Sequence, residues 1–304
     1  MISQDDLQAL DGLQWLGSGH EASAVLGISQ ATVSRSSSRA LKLFGLRMER
    51  QGGEWELIGD ATFLQMERRV HQVARRMGHR PLRLEATYWS APTLCAGLPP
   101  GWCLGRSNIV GVGRNLQLVR ERIVDAWIAG LPDLPSPDDP ELTAIPLSRM
   151  PVFFTCAPGH PLLQLEQISV EDVAAYPSLG LPSGSYPLVE AALRRIGLWN
   201  DAVRMQRYQR ERWEGRVEAE LVVGYGTPLS LRVSGGQLCR LPLLLPIHSG
   251  DAVVVQRDFL GHPTLETLLS HLRGKLQQLA QEHPEITLES APASGCPTPC
   301  QQPC

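Results

Sequence analysis

The stretch "HEASAVLG", residues 20–27, has room for about two helical turns, and glycines bound it on both sides. "GSG" at residues 17–19 ends the helix before it, and Gly27 ends the segment itself. Upstream, Ser3 can cap a helix, with Asp6 three positions on, and Leu7, Leu10, Leu13 and Leu16 recur every three residues. Ala22, Val25 and Leu26 would face inward from the short helix. Downstream, Ile28 can pack into the core and Ser29 is a good cap for a third helix. Two short helices joined by a tight glycine-containing turn make a helix-turn-helix.

The third helix is expected from about Gln30 to Phe44, with Val33, Ala40 and Phe44 on one side. Ala31, Arg35, Ser38, Arg39 and Lys42 lie on the other. No Asp or Glu occurs from Ala22 to Met48, although the chain as a whole has net charge −3. A helix entering the major groove approaches two rows of phosphates, where a carboxylate is repelled. Arg and Lys neutralise phosphates, and Gln, Ser, Thr and Arg reach base edges. The competing explanation is a solvated basic face. Two short extended pieces around Gln51-Gly52-Gly53 then read as a hairpin, or wing. Arg47 and Arg50 could touch the DNA backbone there, while Glu54 and Glu56 would have to point away.

"ATFLQMERRVHQVARRMGHRP" reads as a helix ending near Gly78 and Pro81. Phe63, Met66, Val70, Val73 and Met77 are spaced 3, 4, 3, 4, the spacing of a coiled-coil seam, over about two heptads. Either the helix packs on its own domain or it pairs two chains, and pairing suits a reader of two half-sites.

From Pro81 to about Glu282 strands and helices alternate, which argues for an α/β fold. "LRLEATYW", "PVFFTCAP", "PSLGLP" and "AVVVQRD" read as strands; "IVDAWIAG", "PLVEAALRRIG" and "HPTLETLLSHLRGKLQQLA" read as helices. No run of 18 apolar residues appears and the N-terminus lacks a signal-peptide pattern, so neither membrane nor export is expected. The scattered Cys95, Cys103, Cys156 and Cys239 fit reduced thiols in the cytoplasm. No nucleophile elbow, H-E-x-x-H, Walker loop or Rossmann fingerprint occurs and the histidines are dispersed, so no enzyme, catalytic residue or cofactor is expected. Cys296, Cys300 and Cys304 could seed a metal or redox site, but their spacing is unusual for zinc and their Pro-rich setting reads as a flexible tail, so no metal is expected.

"GSGHEASAVLGISQATVSR", followed by a wing and a helix, resembles the N-terminus of a LysR-type transcriptional regulator. Gly17, Ser18, Ala22, Leu26, Ser29, Gln30, Val33, Ser34 and Arg35 match the family's stretch without gaps, and Gly45 matches the glycine ending its recognition helix. "PLRLEATYW" (81–89), "GLPDL" (130–134), "DDPELTAIPLSRMPVFFTCAPGHPL" (138–162) and "VVGYGTPLS" (222–230) are similar to later family segments, in the family's order. Gly19, Ser23, Ser36, Ser37 and Ala40 depart from the pattern, and three consecutive serines from Ser36 lower helix propensity.

The resemblance implies a two-lobed α/β effector domain, like a periplasmic binding protein, preceded by an all-α winged helix-turn-helix and a linker helix. The expected divisions are 1–60 for the DNA-binding head, 61–80 for the dimerising helix, 81–285 for the effector domain and 286–304 for the tail. Lobe I would comprise 81–148 and 251–285, and lobe II 149–250. Ser29, Gln30, Thr32, Ser34, Arg35 and Arg39 are the expected DNA contacts, with Arg47 and Arg50 on phosphates. Polar donors at Ser90, at Ser183, Gly184 and Ser185 before a helix, and at Thr227 are the expected effector contacts, and the loop amides favour an anion. A second family effector position falls near Val119 and Arg120, where neither Ser nor Thr stands. Expected partners are double-stranded DNA, a small-molecule effector and further copies of the chain, as dimer or tetramer. The alternative is a ligand-binding module whose head binds DNA without sequence preference.

Overall fold

A computed structural model describes residues 2–199 and 201–289. Ser3, Ser18 and Ser29 each stand one position before a helix. Each hydroxyl accepts the backbone N–H three residues on, from Asp6, Glu21 and Thr32, at 3.1 Å. They start α1 (Gln4–Leu16), α2 (Gly19–Leu26) and α3 (Gln30–Phe44). The serine run does not break α3: Ser36 and Ser37 are buried, and the Ser37 hydroxyl bonds back to the Ser34 carbonyl at 3.1 Å. With Ala40 also buried, small side chains here let α1 and α3 pack closely around Leu7, Leu10, Leu46 and Leu64. β1 (Arg47–Gln51) and β2 (Glu54–Ile58) form the expected antiparallel hairpin, turning through Gly52 and Gly53 at φ 58° and 94°.

α4 (Thr62–Arg76) has an inverted arrangement of faces. Its buried residues are Leu64, Glu67, Arg68, Gln72 and Arg75, nearly all polar. Its apolar residues Phe63, Met66, Val70 and Val73, with Met77 just beyond, are about half exposed or more.

The remainder holds β3 (Leu82–Ala86), α5 (Ser90–Leu94), β4 (Trp102–Leu104), α6 (Val112–Arg120), β5 (Ala126–Gly130), β6 (Leu142–Pro146) and β7 (Ser148–Cys156). Then come α7 (Val170–Ala174), β8 (Leu179–Gly180), α8 (Pro187–Arg195), β9 (Asp201–Ala202), α9 (Glu214–Ala219), β10 (Gly224–Gly226) and α10 (Pro228–Val233). β11 (Cys239–Ser249), β12 (Asp251–Gln256), α11 (Pro263–Glu282) and β13 (Thr287–Leu288) complete it. One sheet runs β4-β3-β5-β12-β6, with β3 parallel to β4 and β5 and β12 antiparallel to its neighbours. A second, antiparallel, runs β10-β7-β11, with β13 also on β7. The chain crosses between the sheets at Leu147–Ser148 and at Gly250. There the Ser148 hydroxyl both donates to the Asp251 carboxylate and accepts its N–H, each at 3.1 Å. Gly250 has φ 157°, and a Cβ there would lie 2.0 Å from the Ser148 carbonyl oxygen, so only glycine fits.

Two expectations change. "IVDAWIAG" ends in the strand β5, not a helix. β5 sits mid-sheet with every residue buried, so both faces are apolar and the alternation that marks a strand is lost. The expected tail at 286–304 begins inside the fold: Ile286 is buried and β13 is paired. Cys296, Cys300 and Cys304 lie outside the described residues. Among the described residues no helix is long and apolar enough to cross a membrane.

Candidate functional site

The outer face of α3 is open. Gln30, Ser34, Arg35, Ser38, Arg39 and Lys42 are exposed, and Arg47 and Arg50 follow on β1. Arg35, Lys42 and Arg47 have no ion pair among the described residues. Arg39 lies 3.4 Å from Asp6 yet remains largely exposed. Ser29 caps the helix and bonds the Thr32 hydroxyl at 2.8 Å, so these two order the N-terminus of α3. Arg50 differs from expectation: it donates to the Gly17 carbonyl at 2.9 Å and lies over the Trp55 ring, bracing the wing against the end of α1.

Three acids of the wing lie next to this basic surface: other parts of the chain hold Glu54 and Glu56, while Glu49, between Arg47 and Arg50 on β1, is exposed. Arg207 grips Glu54 through two bonds of 2.8 and 2.6 Å and also donates to the Trp15 carbonyl at 3.2 Å. Arg114 of α6 donates to Glu56 at 3.2 Å and to the Gln14 carbonyl at 2.8 Å. Their negative charge is thereby neutralised away from the open face.

Beneath the wing, the helix-turn-helix sits on the five-stranded sheet. Trp15 is fully buried and donates its indole N–H to Glu85 of β3. Burial pushes the Glu85 carboxyl up to about 7, against the opposing pull of the Trp15 bond. Arg68 donates to Asp11 at 2.9 Å, and Arg83 donates to the other oxygen of that carboxylate at 3.0 Å. Burial raises the Asp11 pKa, but the guanidiniums of Arg68, Arg83 and Arg75 together hold it below the usual range. Asp125 accepts from Gln72, from Arg75 twice and from the Arg83 backbone, at 2.8–3.0 Å. This network explains the buried polar side of α4.

The cleft between the two sheets is lined by Tyr88, Trp89, Leu131, Val152, Leu181, Tyr186, Val189, Trp213, Tyr225 and Ile247, with about 70 Å³ of open space. The expected polar contacts do not dominate it. Ser90 is fully buried, donating to Asp251 at 2.6 Å. The anion expected at the 183–185 loop is supplied by the chain itself: Glu190 accepts the Ser183 hydroxyl at 3.0 Å and the Gly184 N–H at 2.8 Å. Asp133 likewise takes the Leu188 and Val189 amides at the start of α8, at 2.8 and 3.2 Å. The Ser185 carbonyl accepts the Val112 N–H at 2.9 Å. Thr227 does line the cleft, where it caps α10 by exchanging bonds with Ser230. Val119 is core and Arg120 pairs with Asp139 and Glu141 outside it. What remains for a ligand is an aromatic, largely apolar slot.

One wall of that slot reaches the wing. Tyr88 stacks on Tyr208, ring centroids 3.7 Å apart and planes within 6°. Tyr208 is the neighbour of Arg207, which holds Glu54 and Trp15. Among the described residues no group of three or more His, Cys, Asp or Glu side chains is placed to hold a metal ion.

The family model for the LysR substrate binding domain matches residues 109–277, more than half of the chain. The chain belongs to the LysR-type transcriptional regulator family. Solved structures of LysR-type proteins share its fold. A full-length OxyR from Pseudomonas aeruginosa aligns over 90% of this chain and 95% of its own, with TM-score 0.57 and 18% identity. CbnR complexed with its target DNA aligns over 89% and 98%, with TM-score 0.52 and 14% identity. Full-length BenM aligns over 96% and 100%, with TM-score 0.52 and 16% identity. No curated protein matches the chain.

Within this LysR-type chain, sequence reasoning missed the aromatic lining of the cleft and the contacts of the helix-turn-helix with the sheet below it. "YW" directly after the first strand and the tyrosine between glycines in "VVGYGTP" were the available signals for the lining. The contacts join residues 50 to 192 positions apart, and nothing local announces them.

Proposed function

We propose that this chain is a DNA-binding transcriptional regulator that senses a small, neutral or weakly polar aromatic-type molecule in its cleft. The observation that carries the reading is the open face of α3, which bears no acid of its own, with Glu54 and Glu56 of the wing tied to Arg207 and Arg114 and only Glu49 of the wing left exposed. Gln30, Ser34 and Arg35 enter the major groove, and Arg39 and Arg47 meet phosphates. A ligand that displaces the Tyr88–Tyr208 stack moves Arg207 and so the wing, with a coupling of about 1–3 kcal/mol. Arg207→Met frees the Glu54 carboxylate and so weakens DNA binding on all sequences alike, and it makes the remaining binding insensitive to that ligand.

Selection of DNA from a random pool tests the reading. The purified chain enriches one motif with two-fold symmetry. Arg35→Ala weakens binding to that motif by about 1–3 kcal/mol. A pool that never converges leaves only a ligand-binding module with a head that lacks sequence preference.

Two-fold binding requires two copies. The exposed apolar stripe of α4, Phe63 to Met77, supports α4 as the pairing surface, because its polar face is already consumed inside the chain. Met66→Glu with Val70→Glu buries two unpaired charges in that seam and weakens self-association about a hundred-fold or more, read by analytical ultracentrifugation. An unchanged association constant places the interface elsewhere.

A further inference from the structure

Where α1 and α2 meet α4 and β3, away from the aromatic cleft, lies a cavity of about 260 Å³. It shares no lining residue with that cleft. Leu7, Leu26 and Pro81 contribute apolar surface to it, Arg75 and Arg83 contribute cationic surface, and the Asp11 carboxylate paired with Arg83 lines it too. Both arginines are only 5% exposed. Arg75 gives Nε and Nη2 to Asp125 and the Arg122 carbonyl, and Arg83 gives Nη1 to Asp11 and the Ile123 carbonyl. Arg75 Nη1 and Arg83 Nε and Nη2 have no acceptor among the described residues. Asp11 is shared with Arg68, so three guanidiniums meet two fully buried carboxylates, with Glu121 reaching Arg68 from the half-exposed side. Burial, and next the Arg75 cation, push the Arg83 guanidinium below its ordinary pKa. The acceptor-free N–H groups of Arg75 and Arg83 are not fully buried but open onto the cavity, and an anion with an apolar body would meet both of its walls.

We propose that this cavity binds a small aliphatic monocarboxylate, its carboxylate on the free N–H groups of Arg75 and Arg83 and its chain against Leu7, Leu26 and Pro81. The space is ample, since an apolar cavity of about 150 Å³ takes up benzene. Such a ligand bridges the helix-turn-helix to α4 and β3. It therefore holds the head in its seat, independently of whatever occupies the aromatic cleft.

The test is calorimetric titration of the full chain with hexanoate at pH 7, with hexanamide as the uncharged control. Hexanoate binds at least ten-fold tighter than hexanamide and raises Tm. Arg83→Met weakens it at least ten-fold. Gln8→Trp fills the cavity without touching an ion pair, so it keeps the fold readable if Arg83→Met does not fold, and it too loses hexanoate. Ile247→Trp, which fills the aromatic cleft, binds hexanoate as the unaltered chain does. The proposal is overturned by absence of hexanoate binding, by equal affinity for the amide, or by binding that survives Gln8→Trp. DNA binding plays no part in these readouts, so failure here leaves the regulatory reading standing.

Discussion

Asp125→Ala is expected to cost the folded chain about 3–5 kcal/mol, the loss measured when one partner of a buried ion pair is removed. Asp125 is fully buried and accepts four hydrogen bonds, from Gln72, Arg75 twice and the Arg83 amide. Without it the Arg75 cation remains inside with only the Arg122 carbonyl as acceptor. The Arg83 N–H loses its partner as well. Asp125→Asn restores acceptors but not charge, and falls between the two. Urea unfolding at constant slope measures all three. A loss under 1 kcal/mol for the alanine variant would show that α4 is not anchored through this carboxylate.

Glu85→Gln is expected to stabilise the chain at alkaline pH and leave it nearly unchanged at acid pH. The Glu85 carboxyl has its pKa raised from 4.5 to about 7, mainly by burial. Below 4.5 it is protonated in both folded and unfolded chains, and its burial carries no charge penalty. As pH rises from 4.5 toward 7 the unfolded chain ionises first, and the folded state becomes relatively less stable. Above about 7 the full penalty, about 3 kcal/mol at most, is present. Glutamine keeps an oxygen for the Trp15 indole N–H and cannot ionise. The difference in unfolding free energy between Glu85→Gln and the unaltered chain should therefore grow from near zero at pH 4.5 toward that figure at pH 8.5. A difference that does not change with pH would mean that Glu85 is not buried against Trp15. Because this contact joins α1 to β3, the same titration loosens the seat of the helix-turn-helix on the sheet.

Local chemistry was legible in the sequence, and long-range assembly was not. Ser3 and Ser29 announced their helices because a cap acts within three residues. Gly52 and Gly53 announced the hairpin because both take positive φ. The stripe from Phe63 to Met77 was visible as a period. That its opposite, charged face would be the buried one was not, since Arg68, Gln72 and Arg75 find their partners on α1 and before β5. The strand in "IVDAWIAG" escaped because a strand buried on both faces shows no alternation. The cleft escaped in part because Tyr88, Tyr186, Trp213 and Tyr225 come from four separate segments. Its expected polar contacts were plausible locally, but Asp133, Glu190 and Asp251, distant in sequence from several of the groups they satisfy, answer those donors first.

On the regulatory reading, α3 recognises a DNA sequence through its exposed side chains. Fluorescence anisotropy on the chain's own upstream intergenic DNA, with scrambled competitor at two salt concentrations and Arg35→Ala in parallel, measures that recognition. The expected result is a preference over scrambled DNA of about a thousand-fold or more that collapses in Arg35→Ala, together with a shared fall in affinity as salt rises. Equal binding to both DNAs at low salt, unaltered by Arg35→Ala, would contradict it.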